Sequence, residues 1–124
     1  MGSHYGDAEK KIFETGADAV KAVFDGEDIE AKQRLLFYLD RVMDPFYGQD
    51  ISGMSGPLKD ILQNLIITSD NDDITGEAVH LLSSYTTGPY EILKANYTRV
   101  PEPFKADVLY LFNDERGSEQ ALSL

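Results

Sequence analysis

An all-α fold is what the sequence predicts, and two observations carry that expectation. Apolar residues recur at helical spacing along most of the 124-residue chain, and no stretch alternates with period 2 as a half-buried strand does. Apart from Gly76, Gly and Pro fall between these stripes rather than within them, where they end one helix and start the next.

The elements follow in order. Val20, Val23 and Phe24 mark a short apolar helix, and Ile29, Leu36 and Phe37 belong to a longer one. A connection over residues 44–56 follows. Leu58, Ile61, Leu62, Leu65 and Ile66 then fall at i, i+3, i+4, i+7 and i+8, one face of a helix, with Pro57 suited to its first position. Ile74, Ala78, Leu81, Leu82 and Tyr85 form the next stripe, with Asp72 or Asp73 placed to cap its start. Gly88-Pro89 breaks the chain. Leu93, Asn96, Tyr97 and Val100 give one further helix, and Phe104, Val108, Leu111 and Phe112 another.

The stripes repeat. Counted from Ile29, Ile74 and Phe104, each segment has a small residue at +2 (Ala31, Gly76, Ala106) and Leu at +7 (Leu36, Leu81, Leu111). A large apolar residue stands at +8 (Phe37, Leu82, Phe112). A small residue lets a neighbouring helix approach closely. Each segment also follows a shorter apolar helix, so the pattern reads as three stacked antiparallel hairpins. This resembles a short array of the HEAT type, built from helix pairs of roughly 40–47 residues. An irregular six-helix bundle fits the same stripes. The helical-repeat domain is expected over residues 7–113. Residues 1–6 read as a flexible N-terminus or an expression remnant. Residues 114–124 read as a tail, frayed or docked through Leu122 and Leu124.

Composition bounds the chemistry. The chain has no cysteine, which removes a disulfide framework, a thiolate nucleophile and a Cys-based zinc site. No apolar run approaches the roughly 20 residues that span a bilayer, and the polar N-terminus lacks the apolar core of a signal peptide. A cytoplasmic location is expected.

Charge is the main functional signal. The net charge is −11, and its distribution is uneven. Between Lys59 and Lys94 there is no Lys or Arg, while Asp60, Asp70, Asp72, Asp73, Glu77 and Glu91 fall in that stretch. Such a segment attracts a basic partner and repels nucleic acid and anionic membrane.

Candidate sites sort as follows. Asp70-Asn71-Asp72-Asp73 suggests a calcium loop, but an EF-hand needs Glu at its twelfth position, and from Asn71 that position is Leu82. A helix start explains the acids better, and no metal or other cofactor is expected. His80 has no Ser or Cys nucleophile partner and no second ligand at helical spacing, so it reads as a packed or boundary histidine. The narrower alternative is a pH-sensitive contact with Glu77 and Asp73. No carboxylate pair stands out for hydrolysis, and no nucleophile, metal or phosphate-binding motif appears, so no enzyme is expected. Asn96-Tyr97-Thr98 matches a glycosylation acceptor by chance. The 44–56 connection has two readings: Phe46, Ile51 and Met54 cover the core, or Phe46 and Tyr47 anchor a protruding contact. Tyr85 and Tyr90 bracket a turn in the acidic stretch, where rings supply burial beside steering carboxylates.

In general character the chain resembles small, acidic, all-helical bacterial toxin-immunity proteins. The resemblance implies a basic partner protein such as a nuclease-type toxin, and the acidic stretch and aromatic positions above supply the expected partner-binding set: Asp70, Asp72, Asp73, Glu77, Glu91, Tyr90, Phe46 and Tyr47. The alternatives are a HEAT-like adaptor that holds a peptide or helix in an apolar groove, and a DNA mimic.

Overall fold

The computed structural model describes residues 7–44 and 53–112, and every regular element among them is helical. Three helices open the chain: α1 (Asp7–Thr15), α2 (Ala17–Asp25) and α3 (Ile29–Val42). Then follow α4 (Ser55–Thr68), α5 (Asp72–Tyr85) and the short α6 (Glu91–Ala95). Two 3₁₀ turns, Tyr97–Arg99 and Glu102–Phe104, lead into α7 over residues 105–112. The all-α expectation holds, and both the hairpin array and the bundle are compatible with this order. The chain divides into two compact units, Met1–Ile61 and Leu62–Leu124. The division falls inside α4 and is finer than the one domain expected over 7–113. The expected end segments, 1–6 and 114–124, lie outside the described residues.

In the first unit α1, α2 and α3 pack mutually. Phe13, Val20, Phe24, Leu35, Leu36 and Leu39 supply buried apolar side chains, and the Phe13 ring meets Tyr38 edge-on at 5.9 Å. Helix α1 was not expected from the sequence, because its short, charge-rich segment has only Ala8, Ile12 and Phe13 as apolar residues. A single residue, Gly16, joins α1 to α2 with φ of 133°, in a region that L side chains rarely adopt. The Asp28 side chain caps α3 by accepting from the Ala31 N–H at 3.1 Å.

Glu9 is a charged residue inside this unit, only 5% exposed. Its carboxylate faces the Arg34 Nε at 3.4 Å, while Arg34 Nη1 reaches Glu30 at 3.2 Å. Lost hydration pulls the Arg34 pKa down, but hydrogen bonds and attraction from Glu9 and Glu30 outweigh it and raise the pKa above its ordinary value.

Helix α4 begins two residues before the expected start, so Pro57 is its third residue. Proline is tolerated there because first-turn N–H groups lack intrahelical acceptors. Asp72 and Asp73 were the expected caps of α5, but Asn71 caps it, its side chain accepting from the Ile74 N–H at 3.1 Å. The two aspartates occupy the first turn instead, where carboxylates interact favourably with the helix dipole.

The repeat is only partly reflected in burial. Leu36, Leu81, Leu111, Leu82 and Phe112 are buried, but Phe37 is 59% exposed. Of the small +2 residues, Gly76 does what was expected: a Cβ there would lie 3.3 Å from the Phe104 ring. Ala106 is exposed, so it is not a close-approach residue. The single helix expected over Leu93 to Val100 is broken at Asn96, which ends α6 and precedes the 3₁₀ turn.

The second unit also buries a glutamine. Gln63 on α4 is 1% exposed, and its side-chain oxygen accepts from the Leu93 N–H at 3.2 Å. Helix α6 has no side-chain cap from Tyr90 at its own N-cap position. Gln63 therefore satisfies a first-turn donor of α6 from a distant helix.

Candidate functional site

Helix α5 displays the acidic side chains through its amphipathic geometry. Ile74, Thr75, Ala78, Val79, Leu81 and Leu82 are buried, while Asp72, Asp73, His80, Ser83 and Ser84 are exposed and Glu77 is half-buried. At about 100° per residue, Asp72, Asp73 and Glu77 fall within an arc of about 140° on the outward side. Asp73, Glu77, His80 and Ser84 follow one another at i, i+4, i+7 and i+11, a single line along that side. Asp70 precedes the cap and is exposed. Glu91 is also exposed, but it opens α6 and is not part of the α5 line.

His80, expected to be packed or at a boundary, lies in the exposed line. Although no serine was expected beside it, its Nδ1 is 3.4 Å from the Ser84 hydroxyl, and its ring meets Tyr85 edge-on at 6.3 Å. This position follows from its offset from the apolar stripe.

Tyr90 is a correction to the expected partner-binding set. It is 3% exposed. Its hydroxyl lies 3.2 and 3.4 Å from the Thr86 and Leu82 carbonyls and 3.0 Å from the Thr86 hydroxyl, three acceptors among which its one proton is shared. The Thr86 hydroxyl itself donates to the Leu82 carbonyl at 2.6 Å. Tyr90 thus helps to satisfy the C-terminal carbonyls of α5 from inside the unit, and a ring so buried is no contact anchor. Phe46 and Tyr47, the other expected anchors, lie outside the described residues. The Asn96 amide of the glycosylation-like triplet donates to the Ile92 carbonyl at 2.9 Å, a helix-ending role.

A different aromatic residue borders the acidic face. Tyr110 on α7 is 71% exposed, and its neighbour Leu109 is 44% exposed. A cleft of about 300 Å³ lies between α5 and α7, lined by Gly76, Val79, His80 and Ser83 on one side and by Asp107, Tyr110 and Leu111 on the other. The Gly76–Phe104 contact holds the approach to α7 close against α5 at one end. The sequence did carry a signal for Tyr110 and Asp107. Both lie off the stripe of Phe104, Val108 and Leu111, so the helical period that buries the stripe turns them outward.

No family model matches the chain, and neither does any curated protein or solved structure. Among the described residues no helix is long and apolar enough to cross a membrane.

Proposed function

We propose that this chain is an acidic binding module that docks on a basic protein. Its most concrete form is an immunity protein that neutralises a secreted bacterial toxin, such as a nuclease with a positive cleft. One observation carries the reading: Asp72, Asp73 and Glu77 share the outward side of α5 with His80, beside a cleft bordered by the exposed Tyr110. The carboxylates, with Asp70 nearby, steer a basic surface and accelerate encounter by factors of about 10–10³ at low salt. Tyr110 and Leu109 supply the apolar contact that an ionic surface lacks. Tyr110 thereby takes the role that the sequence suggested for Tyr90. The module performs no catalysis, works in the cytoplasm, and avoids nucleic acid and anionic membrane through its own charge.

The exposure of Leu109 and Tyr110 also favours a second reading, an adaptor that binds a partner helix through apolar contact. Salt separates the two. The test is affinity capture from the native source at low salt, followed by elution with rising salt. The module reading expects one stoichiometric basic partner, released by salt. It also expects that partner to be lost on Asp72→Lys with Asp73→Lys and kept on Asp18→Lys, an exposed control in α2. Circular dichroism confirms that each variant is folded. A partner held equally at high salt and by the Asp72/Asp73 variant refutes the module and supports the adaptor.

A further inference from the structure

We infer that the cleft between α5 and α7 seats a single arginine side chain of the partner, an inference that rests on the acidic-module reading. Asp107 and Tyr110 are i, i+3 neighbours on α7, which places them side by side on one helix face, and both are exposed. A guanidinium suits that pair. Its plane can lie against the phenol ring while its fork of N–H donors meets the carboxylate. An ammonium meets the carboxylate only as a point charge and gains less from the ring.

Two apolar residues of the lining match the arginine stem. Val79 and Leu111 are buried apolar residues, 8% and 4% exposed, and give the methylenes an apolar floor. Ser83 offers a hydroxyl acceptor for a further N–H. Asp107 carries the one carboxylate among the lining residues, so one cation is what the cleft can neutralise. A volume of about 300 Å³ lies at the low end of ligand pockets, suited to one long side chain and too small for a helix. Gly76 and Ser83 keep it open, because a larger residue at Ser83 would occupy it.

The test is an NMR titration of the full chain with N-acetyl-arginine methylamide, with the lysine and citrulline analogues for comparison. The seat predicts saturable shifts centred on residues 79–83 and 107–111, with arginine several-fold tighter than lysine and citrulline weakest. Asp107→Asn should weaken arginine roughly tenfold, the scale of one charge-assisted hydrogen bond. Ser83→Leu should abolish the shifts by filling the cleft. Both positions are exposed, and circular dichroism verifies that the variants fold. Equal affinity for arginine and lysine, or indifference to Asp107→Asn, overturns the seat.

The outcomes also separate the two levels of the reading. A captured partner that is released by salt yet indifferent to Asp107→Asn and Ser83→Leu overturns the seat and leaves the module standing. Arginine bound in the cleft, with partner capture unchanged by the Asp72/Asp73 reversal, overturns the module and leaves the seat.

Discussion

Replacing Gln63 with Met tests how the second unit holds α6, and with it the exposed Glu91. The two side chains are similar in length, so the substitution removes the acceptor without opening a large cavity. The Leu93 N–H, which donates to Gln63 at 3.2 Å, then has no partner in a site where Gln63 is 1% exposed and Leu93 fully buried. A buried donor left unpaired costs about 1–3 kcal/mol, partly offset because the amide no longer needs burial. The net loss should be about 1–2 kcal/mol. For a chain of this length each kcal/mol lowers the melting temperature by roughly 4 °C, so the expected drop is about 4–8 °C. Thermal and urea denaturation followed by circular dichroism measure it. Amide hydrogen exchange at Leu93 gives a local readout, with faster exchange expected in the variant. The same substitution at Gln33, which is exposed on α3, should change stability by less than about 0.5 kcal/mol. A Gln63→Met protein as stable as the parent, with Leu93 equally protected, would show that α6 is held by apolar packing alone.

Three further outcomes follow from the same structure. Asn71→Ala removes the cap of α5 and should cost about 1 kcal/mol by urea denaturation, whereas Asp70→Ala, outside the helix and exposed, should change stability by less than about 0.5 kcal/mol. Arg34→Met should destabilise more than Glu9→Gln, because the first strands a buried carboxylate. The second leaves a guanidinium that is 41% exposed and still paired with Glu30. The folded-state pKa of Arg34 is raised, so its stabilisation is fully present below the unfolded value and is lost only as pH rises through the folded one. The cost of Arg34→Met should therefore be flat between about pH 6 and pH 9, and a cost that vanishes within that window counts against the pair. Glu77→Gln should raise stability by about 0.2–0.5 kcal/mol, because it relieves a like-charge i, i+4 pair with Asp73. The same variant should weaken binding of the basic partner, read by calorimetry.

Helix class and most of the core were legible because the stripes beginning at Leu58, Ile74 and Phe104 repeat at helical spacing and are buried in the structure, apart from the half-buried Tyr85 and Phe104. Legibility failed where a residue's role depends on a distant element. The position of Gln63 within an apolar helix does not reveal that it serves the first turn of α6. Glu9 reads as one more surface acid until α3 brings Arg34 to it. Phe37 shares its register with Leu82 and Phe112, yet α3 turns it outward, since Leu35, Leu36 and Leu39 already form its buried face. At the site, the exposed acids of α5 were legible from composition and spacing. The neighbouring ring was only half legible: the stripe of α7 turns Tyr110 outward, but no local pattern reveals the tertiary environment that buries Tyr90. Tyr90 closes the end of α5, and Tyr110 lies off the stripe of its own helix.

The acids themselves divide by physical role, and that division bears on function. Asp72 and Asp73 stand in the first turn of α5, and Glu91 in the first turn of α6. Negative charge there favours each helix by about 0.3–1 kcal/mol per residue, so those three serve folding whether or not they also meet a partner. Glu77 stands one turn further along α5, where the dipole no longer helps and where Asp73 repels it. On a chain of net charge −11 a further carboxylate opposes compaction as well. Glu77 therefore gains nothing from the helix dipole, and its nearby partner on α5 is His80, whose ring nitrogen lies within 4.8 Å of its carboxylate. Its place in the line from Asp73 to His80, beside the cleft that Tyr110 borders, is what a basic ligand would turn from repulsion into attraction.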